Sequence, residues 1–562
     1  MSEKIGIYVC ECGPNIADKV HIDKIMEDVS KLEDFKDKEL VIRNHKLLCS
    51  VDGKKYLEDE INENKLSHLV IAACSPRDHD STFIGVCKKT GLNPYLYKII
   101  NIREQCAWII PDKDKATDKA VQYIHGGMSR VLYQDPLFEK ELDSNPDVLV
   151  IGGGMAGMEA ALSLAGKDRR VFLIEKEETL GGKSALLTKL MPKQGSDITI
   201  LHQKISDVQR NKYITVLTNT VLDKIVGFMG NFETVLKNIK DENDIKEPLV
   251  GAVVVATGYD LFDSAQLEYV YFSDSDNVID GLEAERMFSA DNKISMKNGK
   301  APKSVTMVHC VGREETGFCS KICCNYMFKI SNLIKEQGSD IKITHLIKHL
   351  SLPTKNSQNF YNEVVKKGSV FERYNSLSVN GTKIGFTDLT GTKKSVESDM
   401  VILAPAMIPA KGTPELSELL NIDLHESGFY QEVHTKKDPV SATTDGIFII
   451  GTARTPGSIV DAIQQAKAAT GKIFTQLIPG EKIVPEIMVS EVLEAYCTGC
   501  QTCLTVCEYD AIYFDEDKGI SIVNEAVCRG CGNCVGSCPS GSIRTRHFTN
   551  PQLYQEVKEI LR

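Results

Sequence analysis

Cysteine spacing is the feature that most constrains this chain of 562 residues. Its eighteen cysteines fall into three groups, with six in residues 1–106, four in residues 310–324 and eight in residues 497–538. A disulfide framework does not usually leave gaps as long as those between the groups, whereas metal sites do. The N-terminal residues also lack the apolar run of a secretory signal. Thiolate ligation in a reducing compartment is therefore the better interpretation.

The eight C-terminal cysteines form two similar runs, YCTGCQTCLTVCEYDAI (496–512) and VCRGCGNCVGSCPSGSI (527–543). Each run has the spacing C-x2-C-x2-C-x3-C. This spacing is typical of two-cluster ferredoxins, in which the fourth cysteine of one run ligates the other 4Fe–4S cluster. The alternative is a pair of zinc sites, which the duplicated spacing disfavours. The predicted ligand sets are Cys497, Cys500, Cys503 and Cys538 for one cluster, and Cys528, Cys531, Cys534 and Cys507 for the other.

A glycine motif opens the middle of the chain. DVLVIGGGMAGMEAALSL reads as a strand, a turn and a helix, and Gly152, Gly154 and Gly157 form G-x-G-x-x-G. The next predicted strand ends at Glu175, eighteen residues after Gly157. Such glycines let the backbone approach a pyrophosphate at the helix N-terminus, and the acid accepts hydrogen bonds from ribose hydroxyls. The motif predicts a dinucleotide site; the alternative is a packing turn in a non-binding α/β unit.

Three later segments favour FAD over NAD. TLGG (179–182) resembles the flavoprotein loop that covers the adenosine side, and VATG (255–258) resembles the ATG segment of flavoproteins. GIFIIGTA (446–453) resembles the segment in which a strand leads to a helix that faces the isoalloxazine and ribityl chain. Thr452 stands where many flavoproteins have aspartate, and its hydroxyl can still bond the ribityl chain. The further predicted FAD-binding residues are Gly182, Thr257, Gly258, Gly451 and Thr452.

Four cysteines lie where flavoproteins of the thioredoxin-reductase type bind NAD(P)H. KSVTMVHCVGREE (303–315) reads as the first strand of a second α/β unit, but the glycine fingerprint is absent from its turn. Instead the turn carries Cys310, Cys319, Cys323 and Cys324. The pattern C-x8-C-x3-C-C supplies four thiolates for one 4Fe–4S cluster. The alternative is a redox-active thiol pair, which adjacent cysteines disfavour because their disulfide is strained.

The first group of cysteines is spread more widely. The predicted ligands of another cluster are Cys10, Cys12, Cys49 and Cys74. Buried structural cysteines are the alternative. Cys106 is a fifth possible ligand, and Cys87 is predicted to be a core residue. His45 and His79 lie near these cysteines and are predicted to pack or hydrogen-bond rather than to bind metal.

Composition and hydropathy narrow the class of protein. The chain has 66 basic and 77 acidic residues, a net charge of −11, and no basic block, which argues against a nucleic-acid partner. Its 42% of hydrophobic residues is ordinary for a globular protein. No sequence stretch reads as a convincing transmembrane helix. We expect a cytoplasmic protein.

Alternating strand and helix patterns predict an α/β fold. We expect a thioredoxin-reductase-like FAD-binding Rossmann core, an N-terminal α/β domain and a C-terminal two-cluster ferredoxin module. Leu553, Val557, Ile560 and Leu561 are spaced as on one helix face, so the terminal helix is expected to dock on the domain beside it. The predicted boundaries are 1–140 for the N-terminal domain, 141–300 for the FAD domain, 301–410 for a second Rossmann-like unit with the inserted cluster site, 411–485 for the return of the FAD domain, 490–548 for the ferredoxin module and 549–562 for the terminal helix.

These motifs, in this order, resemble the A subunit of heterodisulfide reductase along nearly the whole chain. The matching segments include CECGPNI, AACSPRDH, NIREQCAW, CVGREETGFCSKICC and GTARTPGSI. The resemblance implies an oxidoreductase subunit that performs flavin-based electron bifurcation or confurcation with ferredoxin. It also implies B and C subunits as partners and a hydrogenase- or dehydrogenase-type electron donor.

Two departures from that family stand out. Residues 183–250 contain no cysteine, so the inserted ferredoxin domain of longer members should be absent. Gly457 stands where the family has a lysine after the proline of GTARTP, so the flavin surroundings are expected to differ. An NAD(P)H-dependent iron–sulfur flavoprotein, similar to the small subunit of glutamate synthase, is the alternative function. A non-catalytic scaffold is a third, against which the FAD motifs argue. No side chain is predicted to be an acid–base catalyst.

Overall fold

The structure is a computed structural model that describes residues 3–190, 198–273 and 276–561. The chain divides into two compact units, Met1–Leu142 with Val484–Arg562, and Asp143–Ile483. Within the described ranges, no helix is both long enough and apolar enough to cross a membrane.

The first unit starts with a parallel sheet between two layers of helices. Its elements are β1 (Lys4–Cys10), α1 (Ile22–Ser30), β2 (Glu39–His45), α2 (Val51–Asn64), β3 (His68–Ala73), α3 (Pro76–Thr90), β4 (Tyr97–Asn101) and α4 (Lys113–Val131). The strand order is β2-β1-β3-β4, and β1 and β3 are almost continuous buried apolar runs, as expected when helices cover both faces. Because the strands are parallel, their carboxyl ends meet at one edge, where Cys10 ends β1 and Cys74 follows β3.

The second unit begins with a β–α–β arrangement and a small antiparallel sheet. Its first elements are β5 (Val148–Ile151), α5 (Met155–Leu164), β6 (Val171–Ile174), α6 (Thr199–Arg210), β7 (Ile214–Leu217), β8 (Thr220–Phe228), β9 (Asn231–Asn238), β10 (Ile245–Lys246), β11 (Leu249–Val250) and β12 (Ala252–Val255). Strands β12, β5, β6 and β7 are neighbours in a parallel sheet, and β8 to β11 form the antiparallel one.

A larger mixed sheet follows. Its region contains β13 (Tyr259–Leu261), β14 (Val270–Tyr271), β15 (Val278–Asp280), α7 (Gly281–Asp291), β16 (Ser304–Val311), α8 (Arg313–Thr316), α9 (Cys323–Gln337), β17 (Lys342–Ile347), α10 (Ser357–Lys366), β18 (Val370–Asn380), β19 (Lys383–Asp388), β20 (Lys393–Glu397), β21 (Met400–Pro405) and β22 (Met407–Pro409). The order is β15-β21-β16-β17-β18-β19-β20, with β14 paired to β18. This sheet places the segment after β16 next to the segment after β17.

The chain then returns to the first sheet of this unit. The returning elements are α11 (Thr413–Leu420), β23 (Ile447–Ile449) and α12 (Ile459–Gln476). Strand β23 completes the five-stranded order β23-β12-β5-β6-β7, and α12 packs on α5. The carboxyl ends of β5, β12 and β23 therefore lie side by side.

The C-terminal part of the first unit is built from two short antiparallel sheets and three helices. Its elements are β24 (Ser490–Val492), α13 (Thr502–Thr505), β25 (Ile512–Asp515), β26 (Ile520–Val523), α14 (Asn533–Ser537), β27 (Ile543–Thr545) and α15 (Asn550–Ile560). Strand β24 pairs with β27, and β25 pairs with β26. Helix α15 docks on α4, but it buries Gln552 and Glu559, whereas Leu553, Val557 and Leu561 stay exposed.

Candidate functional site

The glycine turn after β5 leaves open space at the start of α5. A Cβ at Gly152, where φ is +107°, would lie 2.4 Å from the Ala256 carbonyl oxygen, and a Cβ at Gly157 would lie 1.9 Å from the Gly152 carbonyl oxygen. Both glycines therefore allow close backbone packing. Gly154 differs, because a Cβ there would meet no atom within 4 Å. Gly154 is the N-cap of α5, so the open space adjoins the helix N-terminus, where anions bind.

The carboxylate of Glu175 is fixed at the same turn. Glu175 follows β6 and is buried, and its oxygens accept hydrogen bonds from the amides of Gly153 at 2.7 Å and Glu177 at 2.9 Å. A carboxylate offers about four acceptor positions, so two remain for ligand hydroxyls. Gly182 belongs to the segment that covers this turn, since the Gly181 amide donates to the Gly153 carbonyl at 2.9 Å. Glu175 and Gly182 therefore lie at the same turn as the three glycines of the motif.

The other predicted FAD residues surround the carboxyl ends of β12 and β23. Thr257 follows β12, and its buried hydroxyl has no hydrogen-bond partner among the described residues. Gly258 has φ +82°, and a Cβ there would meet nothing within 4 Å. Gly451 has φ +67° and, with Thr452, begins the turn that leads to α12. The open glycine positions and the orphaned hydroxyl fit an extended dinucleotide such as FAD.

The start of α12 is linked to the cysteine segment 310–324. Ser458 caps the helix and exchanges hydrogen bonds with Asp461. The Lys321 ammonium lies 3.3 Å from Asp461 Oδ2, and Lys321 sits between Cys319 and Cys323 in the sequence. Sequence reasoning missed this ion pair, because nothing in the local pattern connects two residues 140 positions apart.

The structure sorts the eight C-terminal cysteines into two pockets. One pocket is lined by Cys497, Cys500, Cys503 and Cys538. The other is lined by Cys507, Cys528, Cys531 and Cys534. Each pocket thus contains three cysteines of one run and the fourth of the other. Four convergent thiols are the donor set of a 4Fe–4S cluster, so the residues present fit that group.

Hydroxyls and amides surround several of these sulfurs. The Cys538 sulfur is 3.3 Å from the Ser542 hydroxyl and 3.5 Å from that of Ser540. Although burial acts to raise it, these contacts lower the pKa of Cys538 to about 6. The Ala511 amide donates to the Cys507 sulfur at 3.3 Å, and the Gly530 amide donates to Cys528 at 3.5 Å. Such donors favour thiolates, the form that binds iron.

The cysteines 310–324 also come together. The thiols of Cys310 and Cys324 both contact the His349 carbonyl, at 3.8 and 3.9 Å. Contact with Cys324 and burial raise the pKa of Cys323, and Cys310 and Cys319 add to that rise. The other three cysteines therefore all lie near Cys323 at the end of β16.

The turn after β16 is unlike the glycine turn after β5. Gly312 has φ +75°, and α8, which follows it, carries Glu314 and Glu315 in its only turn. Glu314 pairs with Lys348. Two carboxylates at this position disfavour a pyrophosphate.

The N-terminal cysteines meet at the carboxyl edge of the first sheet. Burial raises the pKa of Cys74 to about 11, and the nearby Cys12, Cys10 and Cys49 add to that rise, whereas Arg103 opposes it. The Arg103 guanidinium lies 3.9 Å from the Cys12 sulfur, a contact that sequence reasoning missed. The four predicted ligands are thus close together.

The other two cysteines and the two histidines of this region pack against neighbouring side chains. Cys106 is fully buried in the core beside α1 and α4, whereas Cys87 is fully buried in the core on the opposite face of the sheet. His45 stacks on Tyr56 at 5.1 Å, and His79 packs edge-on against Phe83. In these contacts, both histidines pack against aromatic rings.

Two family models match this chain. The family model "Pyridine nucleotide-disulphide oxidoreductase" matches residues 146–466, and "4Fe-4S dicluster domain" matches residues 496–542. The chain is 30% identical to the iron–sulfur A subunit, number 2, of CoB–CoM heterodisulfide reductase from Methanopyrus kandleri, with 100% of this chain and 99% of the relative covered. That alignment spans 652 positions, more than the 562 residues of this chain, as expected for a shorter member.

Two further similarities were found. The chain is 30% identical to the A subunit of H(2):CoB-CoM heterodisulfide,ferredoxin reductase from Methanothermobacter marburgensis, with 99% of this chain and 97% of the relative covered. Among solved structures, thioredoxin reductase of T. acidophilum matches with 17% identity and a TM-score of 0.42, covering 59% of this chain and 98% of that chain. The latter likeness is too distant to argue from.

Proposed function

The chain belongs to the family of heterodisulfide reductase A subunits and is an FAD- and 4Fe–4S-carrying oxidoreductase, and from this premise we propose that it distributes electrons inside a multisubunit complex. The supporting observation is that one chain joins a glycine turn suited to FAD with four groups of four cysteines. FAD, when bound, exchanges electrons in pairs, and iron–sulfur clusters carry them singly.

The FAD-binding role is assigned to residues at the carboxyl ends of three neighbouring strands. Gly154 leaves room for the pyrophosphate at the N-terminus of α5, and Glu175 orients the adenosine ribose. Thr257 offers its unpartnered hydroxyl, and the turn at Gly451 and Thr452 brings the N-terminus of α12 to the ligand. These residues bind and orient; none of them transfers a proton in this proposal.

We assign the cysteines to four clusters. The two C-terminal clusters use the crossed sets that line the two pockets. A third uses Cys310, Cys319, Cys323 and Cys324, and a fourth uses the N-terminal set Cys10, Cys12, Cys49 and Cys74. Reduced thiols in such number favour a reducing compartment such as the cytoplasm.

The partners we propose are the B and C subunits of a heterodisulfide-reductase-like complex, a donor subunit of the hydrogenase or dehydrogenase type, and ferredoxin. Support comes from the M. marburgensis relative, whose name includes hydrogen, the heterodisulfide and ferredoxin. Within such a complex, the reaction is flavin-based bifurcation or confurcation. The alternative, a self-contained NAD(P)H oxidoreductase, is disfavoured by Glu314 and Glu315 in the turn after β16.

The proposal is tested on full-length protein isolated without oxygen, together with any subunits that remain bound. We expect one FAD, about sixteen iron atoms per chain, and flavin bleaching by reduced ferredoxin. The isolated complex should couple ferredoxin reduction to reduction of a second, higher-potential acceptor. Zinc in place of iron, or a lone chain that reduces its final acceptor at full rate, would contradict the proposal.

A further inference from the structure

Lys321 has an unusual backbone conformation within the cysteine segment 310–324. Its φ is +65°, in the left-handed region that a lysine seldom adopts. Its amide donates to the Cys319 sulfur at 3.4 Å, and its carbonyl accepts a hydrogen bond from the Ser351 hydroxyl at 3.3 Å. These two bonds hold the backbone in a conformation that costs free energy. A conformation kept at such a cost indicates a role for the residue.

The Lys321 side chain reaches the first turn of α12. Its ammonium lies 3.3 Å from Oδ2 of Asp461, the third residue of that helix. The same carboxylate accepts hydrogen bonds from the Ser458 amide at 2.9 Å and from the Ser458 hydroxyl at 3.0 Å. Although burial acts to raise it, these bonds and the charge of Lys321 lower the pKa of Asp461. Asp461 is therefore ionised at neutral pH, with Lys321 as a cation beside it.

The first turn of α12 belongs to the proposed FAD site. Gly451 and Thr452 lead from β23 to this helix, whose N-terminus carries a partial positive charge. The Asp461 carboxylate cancels part of that charge, and the Lys321 ammonium offsets the carboxylate. Reduced flavin, after uptake of two electrons and one proton, carries one more negative charge than oxidised flavin. The net charge at this turn therefore affects how strongly the protein favours the reduced form.

We propose that Lys321 raises the reduction potential of the bound FAD by offsetting the negative charge of Asp461 at the start of α12. The inference rests on the proposed function, because it requires FAD to bind at this turn. Lys321 acts through Asp461 and is therefore a positioning residue rather than a catalytic one. Its backbone contacts Cys319, a predicted cluster ligand, and its side chain contacts the helix of the FAD site. One residue thus connects the two proposed cofactor sites.

The ion pair is partly exposed, with 47% of the Lys321 side chain and 32% of the Asp461 side chain accessible to solvent. Such a pair contributes little to folding stability. Loss of the lysine should therefore leave thermal unfolding nearly unchanged. The flavin potential depends on the net charge at the turn instead, so these two measurements separate a structural role from an electrostatic one.

The test is an anaerobic redox titration of the full-length protein with its FAD and clusters, in which absorbance follows the flavin and EPR follows the clusters. Lys321→Gln removes the charge and keeps a long polar side chain, so the FAD midpoint potential should become more negative. Asp461→Asn removes the opposite charge and keeps an acceptor for the Ser458 amide, so the potential should become more positive. The double variant should return the potential close to the wild-type value.

Gly457 allows the positive charge to be moved to another part of the chain. A Cβ at Gly457 would lie 3.3 Å from Oδ2 of Asp461, and the backbone there is outside the left-handed region. A lysine at this position can therefore pair with the same carboxylate. Gly457→Lys combined with Lys321→Gln should bring the FAD potential back toward the wild-type value, although the cysteine segment still lacks its lysine.

Lys472 provides the matched control. It lies in the same helix, eleven residues after Asp461 and about 16 Å farther along the helix axis. It forms an ion pair with Asp438. Lys472→Gln removes the same charge from the other end of α12, so the FAD potential should move much less than in Lys321→Gln.

The possible outcomes are distinguishable. Shifts of opposite sign in Lys321→Gln and Asp461→Asn support the proposal, as does recovery with Gly457→Lys. An unchanged potential in Lys321→Gln with FAD and iron at wild-type content overturns it, and so does an equal shift in Lys472→Gln. If Lys321→Gln loses iron, Asp461→Asn decides, because a positive shift supports the proposal and any other result overturns it. If the wild-type protein binds no FAD, the proposed function itself fails.

Discussion

Replacing Gly154 by valine is expected to release FAD without unfolding the protein. The residue has φ −76° and ψ −173°, a backbone conformation that any L-residue adopts. A Cβ there meets no atom within 4 Å, so the fold has room for the new side chain. Loss of a glycine N-cap should reduce the free energy of unfolding by at most about 1 kcal/mol.

The effect on FAD binding should be much larger. A side chain in the open space keeps the pyrophosphate from the first amides of α5. Two charge-assisted hydrogen bonds, each worth roughly 1.5–3 kcal/mol, would be lost. The sum, about 3–6 kcal/mol, corresponds to a Kd for FAD raised at least about 100-fold.

Two other glycines provide the comparison. Gly157→Ala places a Cβ 1.9 Å from the Gly152 carbonyl oxygen, so that variant should lose both FAD and thermal stability. Gly166→Ala meets nothing within 4 Å in the loop between α5 and β6, and it should keep both. FAD is measured by anaerobic titration of the flavin-free protein, and stability is measured by thermal unfolding followed by circular dichroism. Gly154→Val with an unchanged Kd for FAD would refute the assignment of this turn.

The remaining predictions concern the cysteines and the turn after β16. Cys538→Ala should remove the same EPR signal as Cys497→Ala, because both residues line one pocket, and loss of two different signals would refute crossed ligation. Cys74→Ala should remove about four iron atoms per chain whereas Cys106→Ala should remove none; iron analysis decides, and equal losses would contradict the N-terminal assignment. The isolated chain should not oxidise NADH or NADPH efficiently, since the turn after β16 carries the carboxylates of Glu314 and Glu315, which repel a pyrophosphate. Stopped-flow mixing without oxygen checks this, and rapid flavin bleaching at micromolar NADH would favour the alternative function.

Local patterns predicted the glycine turn well. The strand VLVI is Val148–Ile151 in the structure, and α5 begins directly after Gly154. The reason is physical. A buried strand, a positive φ and a helix N-terminus each require particular residue types, and here those residues are adjacent in the sequence. The two cysteine runs were equally informative, because their repeated spacing itself implies that each run completes the other.

Long-range polar contacts could not be predicted in this way. His309 and His345 are 36 residues apart, and each reads as one more residue of a strand. Their contact depends on β16 and β17 being neighbours in the register that pairs Met307 with His345. A single sequence does not specify which strands of a large sheet are adjacent. The pair therefore became visible only in the fold.

Helix α15 shows how an apolar pattern can be misleading. The spacing of Leu553, Val557, Ile560 and Leu561 favours a face that packs on a neighbour. Leu553, Val557 and Leu561 are exposed, whereas Ile560 is half-buried and lies against Gly126 of α4. Beside Ile560, the contact with α4 is made by polar side chains.

The polar groups in that contact are paired one by one. Arg130 on α4 forms an ion pair with Glu556, and His125 lies 3.4 Å from Glu559. Gln552 donates to the Tyr133 carbonyl at 2.7 Å. Polar groups can be buried when each is paired. Each of these three residues of α15 has a partner in α4 or just after it. Charge and hydrogen-bond matching with a helix more than 400 residues earlier in the chain therefore contributes to the choice of docking face. Hydrophobic periodicity does not contain that information.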